Sequence, residues 1–161
     1  INGFTQGVQP ILSYNFGAGK LNRVKQAYRR IITVTAGFSF LLTALEMMFP
    51  KVLARMFTQD EELIALVGHA APIFLAGMLI FGIQMGCQTT FMGLGQAKIS
   101  LFMALLRKVF LLVPFALIFP MVTGKADSIY FAECTADALA ATICGTVFAL
   151  KIRKILEKKI S

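Results

Sequence analysis

Four stretches of this sequence, 31–49, 63–94, 99–122 and 129–150, are apolar over lengths near or above the ~20 residues that carry an α-helix across about 30 Å of hydrocarbon. That length restricts the chain more than any other feature. Composition agrees: 57% of the residues are hydrophobic and only 15% are charged, where a soluble domain averages roughly 25% charged. Mean hydropathy is +0.74. The expected fold is all-α, a polytopic membrane helix bundle with the lipid bilayer as its solvent. A further stretch, 3–18, contains Gln6, Gln9, Pro10 and Asn15, so hydropathy alone would not assign it to a span.

The net charge of +8 does not indicate a nucleic-acid partner. Basic residues are not spread along helical faces with aromatics between them, as a nucleic-acid stripe requires, but cluster between apolar runs. Lys20, Arg23, Lys25, Arg29, Arg30, Lys98, Arg107, Lys108, Lys151, Arg153, Lys154, Lys158 and Lys159 fall on one side, and only Lys51, Arg55 and Lys125 on the other. Positive-inside bias puts the first side and the C-terminus in the cytoplasm, as in a multi-pass bacterial-type plasma membrane protein. Residues 3–18 then run inward. The basic segment 19–30 reads as an orientation signal against anionic headgroups. Because the chain opens within a segment, Ile1-Asn2-Gly3-Phe4, it is expected to be one portion of a larger protein.

The joints are short. Pro50 closes one run, Thr58 or Asp60 in "TQDEE" can cap the next, and "TGKADS" supplies a turn with Ser128 as a cap. Arg107 and Lys108 interrupt the 99–122 run, leaving Val109 to Val122, roughly 21 Å at 1.5 Å per residue, as the uninterrupted span. Snorkelling of both side chains to the cytoplasmic interface, with a bend at Pro114, is the expected accommodation.

Little points to catalysis. Cys87, Cys134 and Cys144 show no CxxC spacing and His69 is the only histidine, so no metal site is expected. No Ser/His or HExxH arrangement appears, and two carboxylates on one helix do not oppose each other around a bond. The chain is expected not to be an enzyme and to need no cofactor.

Glu133 and Asp137 are the residues that demand explanation. They lie one helical turn apart within an apolar run and share a face with Ala140, Ala141 and Cys144. With a helix start near Ser128, Asp137 lies roughly 13 Å from that end at 1.5 Å per residue, deep enough that an unpaired charge is costly. A partner, a bound cation or a proton is expected there; hydrogen bonding that merely ties helices together is the other reading. Gly82, Gly86 and Thr90 recur every four residues and form a small-residue face for close helix packing. Gln84 and Gln88 lie on the opposite face, where they either line a polar path or bond to partner helices. Phenylalanine (15) and methionine (8) are abundant, which suits a cavity for lipophilic cations and equally suits plain packing.

Three motifs resemble the multidrug and toxic compound extrusion (MATE) family. The first is Gly3, Gln6, Gly7, Pro10, Asn15, Gly17 and Ala18, followed by a basic segment. The second is "GCQTTFMGLGQAKISLFMALLRKVFLLVPFALIFP". The third is "AECTADALAA", similar to the family's final-helix pattern but with Cys134 where a proline is expected.

The resemblance implies a partial C-terminal lobe spanning 1–161, with helices near 3–18, 27–49, 63–94, 99–122 and 129–155. These would be helices eight to twelve of a two-lobed exporter, whose missing N-terminal lobe and helix seven complete a central cavity. It implies a cation- or proton-coupled antiporter for lipophilic cationic small molecules, or alternatively a flippase for lipid-linked saccharides. Gln6 and Asn15 join Gln84 and Gln88 as candidates for the substrate path, and Asp137 and Glu133 as candidates for coupling H+ or Na+. Sodium-coupled members use carboxylates on the first and fourth helices of this lobe, and 63–94 carries no acid, which speaks against that site here.

The orientation is testable. A cysteine placed at Lys125 should be labelled from outside intact cells and one at Lys158 only after permeabilisation; external labelling at Lys158 overturns the orientation.

Overall fold

The computed structural model describes residues 1–124 and 128–157, so the loop residue Lys125 and the terminal Lys158 and Lys159 lie outside the described residues. All regular structure among the described residues is helical: α1 (Asn2–Gly17), α2 (Leu21–Met48), a short α3 (Pro50–Arg55), α4 (Glu61–Gly93), α5 (Ala97–Thr123) and α6 (Ser128–Glu157). α2, α4 and α5 are long and apolar enough to cross a membrane. α6, at 30 residues, has the length, but its three acids and basic end dilute its hydropathy. α1 has 16 residues, roughly 24 Å at 1.5 Å per residue.

Two turns on the expected cytoplasmic side follow one physical rule. Gly19 (φ 69°) and Gly95 (φ 72°) adopt the left-handed conformation that a Cβ disfavours. The next N–H then reaches back to an orphan carbonyl of the last helical turn, Lys20 to Asn15 at 2.9 Å and Gln96 to Phe91 at 2.8 Å. Because the first turn closes so tightly, α2 is helical from Leu21, six residues before the expected start, and the basic segment belongs to the helix. At the opposite end Asp60 caps α4, its Oδ1 accepting from the N–H of Glu62 at 2.9 Å. Ser128 is the first helical residue of α6, and its hydroxyl oxygen accepts from Thr123 Oγ1 at 2.7 Å.

Two of the long helices are irregular. Beyond Pro72, α4 tightens to a 3₁₀ turn at Gly77–Ile80 before resuming as Phe81–Gly93. α5 widens into a π-helical stretch at Leu106–Leu112, immediately before Pro114. Pro114 lacks the N–H that would serve the preceding turn, and a widened register is one way for a helix to absorb that loss.

The apolar core gathers toward the end of the bundle that the Gly19 and Gly95 turns close, where Leu12, Val24, Ile31, Phe91, Leu94, Met103, Phe148, Ile152 and Leu156 are buried together. Phe148 meets both Tyr28 and Phe91 edge-on, with ring centroids 5.4 and 5.3 Å apart. Further out, contact between α2 and α4 rests on small groups. A Cβ on Gly82 would overlap the Thr35 carbonyl, and one on Gly86 would lie 2.7 Å from Thr35 Oγ1. Thr90, fully buried, returns its hydroxyl to the Gly86 carbonyl at 2.8 Å. Ser39 of α2 donates to the Met78 carbonyl at 2.8 Å and so pins the 3₁₀ turn. Large apolar side chains such as Phe40, Leu41, Leu101, Phe110 and Leu117 face outward, as a lipid-embedded bundle requires.

Gly82→Val should force α2 and α4 apart at a backbone contact, costing about 1–3 kcal/mol. The expected readout is a lower melting temperature of the purified membrane protein, with Gly3→Val, which meets open space, as the unaffected control.

Candidate functional site

Three helices converge on Asp137. A Cβ on Gly77 of α4 would lie 2.6 Å from the Cys134 carbonyl oxygen and 2.9 Å from Asp137 Cβ, so α4 can pack this closely against α6 only with glycine there. Phe81, one turn on, places its ring under the guanidinium of Arg107, 4.3 Å from Arg107 Cζ to the centroid. From α5, Arg107 donates from Nε to Asp137 Oδ1 at 2.5 Å and from Nη2 to Oδ2 at 2.9 Å. This is a two-pronged guanidinium–carboxylate pair, the geometry that fixes both distance and orientation.

Burial makes the pair consequential. The Asp137 side chain is 2% exposed and that of Arg107 14%. Glu133, 20% exposed, lies 3.9 Å from Arg107 Nη2 and 3.9 Å from Nζ of Lys108, itself 58% exposed. Two cations and two carboxylates thus balance on the α5–α6 seam. Their position corrects one expectation: Arg107 does not snorkel to the cytoplasmic interface but turns inward to Asp137. The buried carboxylate offers a charge-assisted partner, which compensates the guanidinium better than a long reach along an apolar helix. Lys108, on the more exposed flank, adds its charge to Glu133. The π-helical stretch begins at Leu106, so it carries both basic residues.

The other residues singled out from the sequence are dispersed. Gln84 is buried against α6, its backbone carbonyl 3.9 Å from Cys144 Sγ, and its Oε1 has no partner among the described residues. Gln88 donates to the Ser100 carbonyl at 3.5 Å, bridging α4 to α5. Asn15 is buried and donates to its own helix at the Ile11 carbonyl, 2.8 Å away, whereas Gln6 is exposed. Gly82, Gly86 and Thr90 lie on the α2-facing side of α4, away from the charge cluster.

Sequence reasoning gave no role to Gly77, Phe81 or Glu46, and misdirected Arg107. A cavity of about 290 Å³ adjoins Phe81 and is lined by Asn2, Phe38, Ser39, Thr43, Glu46 and Met78, among others. Glu46 also borders an apolar cavity of about 640 Å³ with Leu53, Phe57, Val67 and Leu75. An acid within the 31–49 run was the available signal for Glu46. For Arg107 the signal was a pair of unmatched charges, one basic and one acidic, in successive apolar runs.

The family model described as MatE matches residues 1–118, and this chain belongs to that family. It shares its fold with an outward-facing multidrug resistance MATE family transporter of the MOP superfamily, at TM-score 0.86 and 18% identity over 96% of this chain. A MATE in the straight conformation gives TM-score 0.87 at 18% identity over 96% of the chain. A chain named protein A gives TM-score 0.87 at 29% identity, covering 97% of this chain and 34% of its own length. The chain spans 35% of the length of the first two. Among curated proteins none matches it.

Neutralising one member of the buried pair should destabilise more than neutralising both. Arg107→Gln or Asp137→Asn alone should each cost about 3 kcal/mol or more by stranding a charge, and the double variant should recover most of that loss. Thermal unfolding of the four proteins checks it, and additive losses would contradict the coupling.

Proposed function

We propose that this chain is the C-terminal-lobe portion of a cation- or proton-coupled antiporter that exports lipophilic cationic compounds by alternating access and catalyses no chemical reaction. Membership of the MatE family supports transport. The observation that carries the coupling assignment is Asp137, a nearly inaccessible carboxylate held between membrane helices by a single guanidinium.

In this reading Arg107 is the resting counter-ion of Asp137. Arginine stays protonated at any physiological pH, so a proton or Na+ reaching Asp137 competes with the guanidinium and does not simply add to it. Once Asp137 is neutralised, Arg107 retains only Glu133, 3.9 Å away, and the α5–α6 seam loses its two-pronged bond. The 3₁₀ turn of α4 and the π stretch of α5 meet at this seam, and irregular helical turns are the segments that change register most readily. Binding of the coupling ion is thereby linked to helix rearrangement, as population shift requires.

Substrate would enter the cavities bordered by Glu46. Their walls of Phe38, Phe57, Phe81 and Met78 offer apolar and aromatic surface, with one carboxylate to select positive charge. The N-terminal lobe and helix seven that the family resemblance implies would close the path. The same proposal places the protein in a bacterial-type plasma membrane with Arg153 and Lys154 facing the cytoplasm.

Expressed with the rest of a MATE polypeptide, Asp137→Asn should abolish gradient-driven efflux of a cationic dye, normalised to folded protein. Glu133→Gln, nearer the outer surface, should be milder. The double variant Arg107→Gln/Asp137→Asn separates coupling from architecture. It should be folded yet inactive, and recovery of wild-type coupled efflux in it would sink the assignment of Asp137 as the exchanging group.

A further inference from the structure

At the end of the bundle where α2 begins and α6 finishes, away from the charge cluster, a second constellation has no part in the transport proposal. Beyond the edge-on contact of Tyr28 with Phe148, α2 and α6 enclose a cavity of about 420 Å³. Its lining combines Lys25 and Arg29 from α2 with Arg153 and Glu157 from α6, over an apolar floor that includes Tyr28 and Ile152. Among the described residues none of the three cations forms an ion pair. Three positive charges against one negative therefore face a single concave space.

We propose that this cavity is a binding site for the headgroup phosphate of an anionic phospholipid. Three observations favour that occupant. The charge balance is positive where the helices leave the apolar core, the level at which headgroup phosphates lie. The site sits between two long helices, and basic recesses of this kind on the cytoplasmic side attract anionic lipid. Its floor is apolar, with Leu21, Tyr28, Ile152 and Leu156 placed to receive the glycerol and upper acyl carbons, which a free inorganic anion would leave unused. Arginine supplies forked donors for phosphate oxygens, and lysine a point charge that adapts to headgroup shape. A bound lipid would bridge α2 and α6 where few side chains do.

The proposal differs from a diffuse positive-inside signal, because it assigns the effect to three named cations and not to basic charge in general. The test uses the whole transporter purified in mild detergent, with retained lipid counted by native mass spectrometry after addition of phosphatidylglycerol or phosphatidylcholine. Phosphatidylglycerol should be retained preferentially. Lys25→Gln/Arg29→Gln/Arg153→Gln should lower its retention by roughly 100-fold, at about fivefold per cation. The charge-matched control Lys20→Gln/Arg23→Gln/Lys154→Gln, outside the cavity lining, should lower it clearly less than the cavity variant. Glu157→Gln, which removes the opposing charge and leaves the three cations in place, should raise retention and keeps the proposal testable if the triple variant misfolds. Equal losses in the two triple variants, equal retention of the two lipids, unchanged or lower retention in Glu157→Gln, or displacement of the lipid by millimolar inorganic phosphate would each overturn it.

Discussion

The pairing of Arg107 with Asp137 is the constraint on which the seating of α5 against α6 depends. α5 buries little else: Ser100 and Met103 near its start, and no side chain from Leu106 through Thr123. In lipid an apolar helix face gains nothing by leaving one apolar environment for another, so helix association relies on close packing and on polar bonds. A two-pronged guanidinium–carboxylate contact supplies the directional part of that association. Each charge is tolerable at this depth only because the other is present, which makes the pair weak evidence for net stability and strong evidence for a specified arrangement.

The pair depends in turn on backbone proximity. Gly77 brings α4 against Cys134 and Asp137, and Phe81 then lies beneath the guanidinium. Thr35 and Ser39 of α2 fill the space opposite Gly82 and Gly86, and Ser39 holds the 3₁₀ turn through the Met78 carbonyl. A chain of small contacts therefore runs from α2 through α4 to the charge cluster. The irregular turns at 77–80 and 106–112 both border that cluster, which ties the site's chemistry to the two least regular places in the long helices.

Two regions of the bundle divide their work. The end of the bundle where α1 turns into α2 and α4 into α5 is packed by large side chains around Phe91 and Phe148 and closed by two glycine turns of the same design. The middle of the bundle is assembled from glycines, hydroxyl side chains and ion pairs. The first arrangement is fixed by volume and resists change, while the second is held by a few exchangeable polar contacts.

Much of this was written in the sequence because it is local. Apolar run length announced the membrane helices, and the spacing of Gly82, Gly86 and Thr90 announced a close-packing face. Asp137 was recognisable as a buried charge in need of a partner, since its depth follows from 1.5 Å per residue along one helix. Unmatched charges in the preceding run hinted at a basic partner, but not at which side chain would supply it. Arg107 is 30 residues away on another helix, and nothing in its own run distinguishes a side chain that snorkels to water from one that turns inward. That choice depends on where α5 lies against α6, which in turn depends on Gly77 and the π stretch. Periodicity along one helix determines what each face contains, but only packing between helices decides which faces meet, and with that which charges are paired.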